Sequence, residues 1–338
     1  MVVDSVASLF AGSGRVVGLP VPPGGTPPMH IPDGFLSLPV SIALWVVSIV
    51  VIGYALRRVS RELDERRVPL LAVLAAVIFA GQMLNFTVVG GTSGHLLGAT
   101  LAAILLGPWA AVVVMTAVVS IQALLFQDGG LLVLGANLFN MAVVGVFVGY
   151  GAYQLLSRAF RNRRVGVPVS GFVAAWISIL AAALACALQL ALSGTSPANV
   201  AIPAMGGIHA LIGIGEGLIT AGALAFVMAA RPDLVAASPS DTGGQKALWV
   251  GGIAMALVLA VLSPLASAHP DGLEWVAEQQ GFLESARGPL YSVIPDYVFP
   301  GIPNEVAATI IAGIVGSLVV LAAAWFAARA TRRRAVQR

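Results

Sequence analysis

The sequence predicts an all-α polytopic membrane protein of about nine spans. Of its 338 residues 58% are apolar and 10% charged, where soluble domains run at about 45–50% and about 25%. Apolar runs close to the roughly 20 residues needed to cross about 30 Å of hydrocarbon recur along most of the chain. The placement of the arginines supplies the third observation, because it counts and orients the spans. The net charge of +3 therefore follows topology and implies no nucleic acid.

In chain order, residues 1–28 hold one basic residue, Arg15, and end in PVPPGGTPP. They resemble neither a signal peptide nor a span. They read as a leader that is disordered or not translated, with Met29 the true start. Spans are expected at about 39–57, 69–90, 95–106, 108–127, 134–157, 168–193, 203–230, 246–267 and 304–328. The third is short and ends at Gly107-Pro108, so a single tilted helix over 95–126 is the competing reading. The basic residues separate the two. Arg57, Arg58, Arg61, Arg66 and Arg67 follow the first span; Arg158, Arg161, Arg163 and Arg164 follow the fifth; Arg231 and Lys246 flank the loop after the seventh; Arg329, Arg332, Arg333, Arg334 and Arg338 follow the ninth. With nine spans they share one side, the cytoplasm. With eight they split.

The domains follow: 29–230 a seven-span unit, 231–246 a cytoplasmic linker, 247–330 a two-span unit with outer loop 268–303, and 331–338 a basic cytoplasmic tail. The outer loop carries Asp271, Glu274, Glu278, Glu284 and Asp296 against Arg287 alone. Such an acidic loop gathers cations over the Debye length of about 8 Å.

The nine-span topology brings MHIPDGF, Met29–Phe35, to the same outer side as His95 in GGTSGH. If Met29 is the first residue, its free amine, the Met-His amide and the His30 imidazole close a five-membered and a six-membered chelate ring in one plane. His95 supplies the fourth nitrogen. Four in-plane nitrogens suit Ni(II) or Cu(II) better than zinc, and loss of the amide proton selects further. Any residue left ahead of Met29 turns the amine into an amide and removes a ligand. The competing reading is two interfacial histidines with ordinary hydrogen bonds.

Pro32-Asp33-Gly34 is a turn signature that folds the N-terminal strand into the bundle mouth, Asp33 bonding its own downstream backbone; Asp33 as a ligand is the lesser reading. Thr92 and Ser93 are expected either to orient the imidazoles from a second layer or to cap a helix. Glu216 is the only carboxylate placed inside a span, which marks it as a functional candidate. His209 lies two turns earlier on the same face. The two form a polar path, pack on a partner, or pair structurally with neighbouring helices. Gln82, Asn85, Gln122, Asn137 and Asn140 read as polar glue between helices, the lone Cys186 as core, and His269 in HPDGLEWV as turn chemistry rather than a second site. No GxxxxGK[ST] and no HExxH occurs, so neither a P-loop ATPase nor an HExxH protease is supported.

MHIPDGFL (29–36), GGTSGHLLGA (90–99) and the H…GxxEG pattern from His209 to Gly217 closely resemble the CbiM/NikM family, the substrate-capture component of energy-coupling-factor cobalt/nickel transporters. Residues 268–303, with HPDGLEWV, look like the accessory NikN component with its PDGLE signature. The resemblance implies a seven-helix capture bundle, and metal ligation by the Met29 amine, the His30 amide and side chain, and His95. It also implies a separate transmembrane coupling subunit and cytoplasmic ABC-type ATPases. TSGHLLG looks more like nickel than cobalt members, whose loop tends to read SHPTG. The 28-residue leader departs from the family pattern. The expectation is thus a non-enzymatic subunit of a prokaryotic inner- or plasma-membrane importer, with no permanently bound cofactor. Its cargo is Ni2+ or Co2+, its Met29 end is outside and its C-terminus cytoplasmic. The alternatives are a cobalt-specific subunit serving cobalamin synthesis, a partner-independent secondary transporter using Glu216, and a metalloenzyme with an open water position.

Overall fold

The computed structural model describes residues 30–64, 67–231, 245–289 and 291–336. The leader, Met29, Arg66 and most of the 231–246 linker lie outside the described residues. Most of the apolar runs fold as helices.

Helix α1 (Leu38–Glu62) starts on a proline in its first turn, where the missing N–H costs nothing. Leu38, Ile42, Val46, Ile49 and Val50 stay exposed and form a lipid-facing stripe. On the opposite face Ser48 donates to the Gly135 carbonyl at 2.7 Å. Helix α2 (Val68–Gln82) is buried on nearly every side, which explains why its apolar pattern shows no preferred face.

The chain then leaves the expected helix. Residues 86–94 form a hairpin, β1 (Phe86–Val88) antiparallel to β2 (Thr92–Gly94), with Phe86 opposite Gly94 and Val88 opposite Thr92. The helix expected over 69–90 stops at Gln82; Gly90 and Gly91, at φ of 97° and 79°, make a turn open to glycine after β-favouring Phe, Thr and Val. Helix α3 (Ala99–Leu106) follows, and α4 (Pro108–Phe126) begins after Gly107 at φ 83°. The single tilted helix over 95–126 is thereby excluded. Eight residues make only about 12 Å, so α3 is a half-helix preceded by extended backbone inside the bundle.

Helix α5 (Leu134–Ser157), α6 (Arg163–Leu192) and α7 (Ala198–Ala230) complete the first unit. Both α4 and α5 carry a π-turn, at Gln122–Phe126 and Phe139–Val144. The second unit is α8 (Gln245–Leu262), a short helix α9 (Gly272–Gln280) and α10 (Glu305–Val336). Helices α8 and α10 both pack on α2, which makes α2 the shared spine of the two units.

Among the described residues six helices are long and apolar enough to cross a membrane: α1, α4, α5, α6, α7 and α10. Helix α2 and the apolar segment Trp249–Leu265 are shorter. At one end of the bundle a cavity is lined by Arg67, Gly107, Arg158 and Arg163, so the α3–α4 turn lies beside the arginines that follow α1 and α5. The histidines converge at the other end.

Candidate metal centre

The N-terminal strand is threaded into the mouth of the bundle by amides and carboxylates rather than by apolar packing alone. The side chain of Asn137 accepts from Ile31 N–H and donates to Ile31 C=O, both at 3.1 Å, imitating a strand partner. Gly130 N–H also donates to the Ile31 carbonyl, at 2.9 Å. The Pro32-Asp33-Gly34 turn is present, Phe35 N–H reaching the Pro32 carbonyl. Asp33, however, does not bond its own downstream backbone. Its carboxylate accepts from the N–H groups of Leu131, Leu132 and Val133 at 3.2, 2.9 and 3.2 Å, because these unpaired donors at the start of α5 attract an anion. Oδ1 takes two of these bonds and Oδ2 one.

His30 is thereby buried, 4% exposed, with its ring 5.7 Å from the His95 ring at 71°. His30 Nδ1 donates to the Asp128 carboxylate at 3.1 Å, while Nε2 has no hydrogen-bond partner. Burial works to lower the His30 pKa, but the charge and hydrogen bonds of Asp128 prevail and hold it above its ordinary value. Both rings line one cavity of about 90 Å3 with Asn137, Asn140, Cys186, His209 and Asp271. Among the described residues no group of three His, Cys, Asp or Glu side chains is close enough to hold a metal by itself.

The His95 loop is fixed from below. Glu216, fully buried, accepts from Leu97 N–H at 2.7 Å and Gly98 N–H at 3.1 Å. These are the unpaired amides ahead of half-helix α3, where a carboxylate is favoured by charge-assisted bonds and by the helix dipole. Gln82 adds a bond to the Leu97 carbonyl at 2.9 Å. His209 does face the cavity and bonds the Met205 carbonyl through Nδ1 at 2.9 Å. Glu216 is not among the cavity-lining residues, so the two hold different parts of the site and share no cavity wall.

The hydroxyls of Thr92 and Ser93 are directed at the second unit. Thr92 Oγ1 donates to Pro270 C=O at 3.0 Å and Ser93 Oγ to His269 C=O at 2.8 Å, which pins the second unit to the hairpin. Asn140 pairs with Gln189, as expected of interhelical glue. Cys186, read as plain core, lines the cavity wall; His269 is exposed, outside it.

Sequence reasoning passed over Asp128 and Tyr297. Asp128 Oδ2 accepts from Tyr297 Oη at 2.6 Å, so one carboxylate joins His30 to the second unit. A signal for Asp128 was present: Gln127-Asp128-Gly129-Gly130 is a glycine-flanked acid at the end of an apolar run, and Gln127 and Gly129 take φ of 57° and 94°. Tyr297 left none.

Lipid-length helices around a cavity lined by three histidines and one aspartate define a multi-pass membrane protein. The family profile described as "Cobalt uptake substrate-specific transmembrane region", CbiM, matches residues 30–234, and the PDGLE domain matches residues 246–333. The chain is 40% identical to the putative fused nickel transport protein NikMN of Archaeoglobus fulgidus, over 87% of this chain and 96% of that one. It is 38% identical to the fused nickel transport protein NikMN of Rhodobacter capsulatus, over 74% and 76%. A crystal structure of a truncated transition metal transporter is similar at 40% identity with a TM-score of 0.53, covering 60% of this chain and 99% of that one. The chain belongs to the CbiM family and carries a PDGLE domain behind it. It is a nickel/cobalt transport membrane protein of the CbiM/NikMN type.

Proposed function

We propose that the chain is the metal-capture subunit of an ATP-driven importer of the energy-coupling-factor type, taking Ni2+, or Co2+, at the outer face of a prokaryotic plasma membrane. It has no catalytic residues of its own; a transmembrane coupling subunit and ABC-type ATPases drive release inside. Nine traverses, with α2, α3 and the Trp249–Leu265 segment as the short ones, put the arginine end in the cytoplasm and the histidine end outside. The observation that carries the reading is the pair of imidazoles 5.7 Å apart on one cavity wall, a separation that suits two rings flanking one ion.

In this reading Met29 is the first residue and its amine, the His30 amide and imidazole, and His95 form the square. A ring closed through the His30 amide uses Nδ1, the nitrogen that Asp128 now holds. Binding then exchanges Asp128 for the ion at Nδ1, and the protons lost from imidazole and amide make capture stronger as pH rises. The match to the CbiM profile from residue 30 supports a start at Met29. The printed names of the relatives favour nickel.

The test is equilibrium binding of nickel to the purified chain made from Met29 and, separately, with the leader retained. One tightly held ion is expected in the first and loss of that ion in the second and in His95→Ala. Retention within twofold of wild type in either case overturns the ligand set. Nickel uptake in vesicles lacking any ATPase would overturn the coupling.

A further inference from the structure

The arginine end of the bundle holds a cavity of about 610 Å3, against about 90 Å3 between the histidines, and within the range of about 300–1,000 Å3 common to small-molecule sites. It sits where the α3–α4 elbow at Gly107 meets the end of α5 and the start of α6. Nothing lies within 4 Å of the place a Gly107 Cβ would take, so the elbow leaves its side of the cavity unfilled. Arg67, Arg158 and Arg163 line the space together with Tyr150, Gln154 and Ser157. Among the described residues no acidic side chain is in its lining. Glu62 and Asp64 belong to a neighbouring cavity that shares Arg67, and Glu62 is held by Arg58 at 2.6 Å.

Membrane topology asks for arginines at this end but not for a cavity between them. Arg161 and Arg164 meet that demand from the exposed surface, outside the lining. The cavity adds three arginines around one space, whose guanidinium forks match phosphate oxygens, with hydroxyl and amide groups as further donors. Two observations set the kind of phosphate. Leu155 on α5, and Val165 and Val169 one turn apart on α6, flank these arginines in the chain and stay exposed, which offers an apolar face to acyl chains. Trp109, just past the elbow, has the Tyr54 and Phe147 rings edge-on at 4.7 and 4.9 Å, and with Tyr150 it supplies the aromatic residues typical of headgroup depth. A soluble phosphate needs neither.

We propose that this cavity binds the phosphate headgroup of an anionic phospholipid, with Arg158 and Arg163 as its principal contacts and the acyl chains along the exposed face of α5 and α6. At the end read above as cytoplasmic, such a lipid comes from the inner leaflet. Through Arg67 the same headgroup ties the start of α2 to the junction of α5 and α6.

The full chain made from Met29 is purified in non-ionic detergent, stripped of lipid and offered phosphatidylglycerol and phosphatidylcholine in equal amounts, and bound lipid is counted by native mass spectrometry. Retention of phosphatidylglycerol in preference to phosphatidylcholine is expected. Arg158→Gln combined with Arg163→Gln keeps two polar side chains and is expected to weaken phosphatidylglycerol binding by about 30-fold, roughly fivefold for each arginine. Arg161→Gln combined with Arg164→Gln removes the same charge outside the cavity and is expected to stay within twofold of wild type. Equal loss in the two pairs, or no preference between the lipids in the wild type, overturns the proposal. Inorganic phosphate that displaces the lipid at equal concentration overturns the lipid source. Nickel retention is read on the same preparations and is expected within twofold of wild type in both pairs. Its loss in the wild type overturns the capture reading and leaves the lipid result standing.

Discussion

Glu216 shows how one residue can look like an ion carrier in a sequence and act as a brace in a fold. A carboxylate placed in a span is costly unless it is fully bonded, and here both oxygens accept backbone N–H groups. That leaves the negative charge matched to a half-helix start rather than to a moving cation. Glu216→Gln turns one acceptor into a donor facing an N–H, a change of about 1–3 kcal/mol for a buried group left unmatched. The expected result is a lower melting temperature of the metal-free protein and weaker nickel retention, because His95 loses its fixed place. Unchanged nickel binding with uptake abolished would return Glu216 to the ion path.

At the scale of elements, the helices were legible and the hairpin was not. A helix is written in local hydropathy, and the spans expected at 39–57, 108–127 and 134–157 match α1, α4 and α5 closely. The stretch 83–98 carries apolar residues up to Val89, and its glycines hinted at the strand turn and the extended entry to α3. The Pro-Asp-Gly turn was read correctly in shape and wrongly in partner, since Asp33 serves donors about a hundred residues away. Gly34 is where that turn meets the second unit. It sits at φ 96°, and a Cβ would overlap the Ser285 carbonyl oxygen. Gly34→Ala is expected to unseat the turn, at a cost of about 1–3 kcal/mol for the strained backbone. Hydrogen exchange at residues 30–36 checks it: the amides should exchange at least several-fold faster than in wild type, and unchanged protection would show the turn accommodates a side chain.

For the whole molecule, the arginine end and the histidine end define a polarity that labelling can test. Ser292 lies exposed in the outer loop and Ala159 lies exposed after α5, while Cys186, the one native thiol, is buried. In intact cells a membrane-impermeant maleimide is expected to label Ser292→Cys and to spare Ala159→Cys until the membrane is opened. The reverse pattern would invert the topology and move the histidine site to the cytoplasmic side. Helices α8 and α10 both pack on α2, so the loop between them has a fixed seat beside the histidines.

The sequence alone determined the membrane class and the places of most helices, because hydropathy is written in neighbouring residues. Only the tertiary structure decided that Glu216 braces the His95 loop across 119 residues, that Ser93 holds a turn 176 residues away, and that Asp128 meets Tyr297 across 169. Such contacts depend on where helices return in space. No local pattern encodes that, since a buried polar group finds its partner only after the apolar faces have packed.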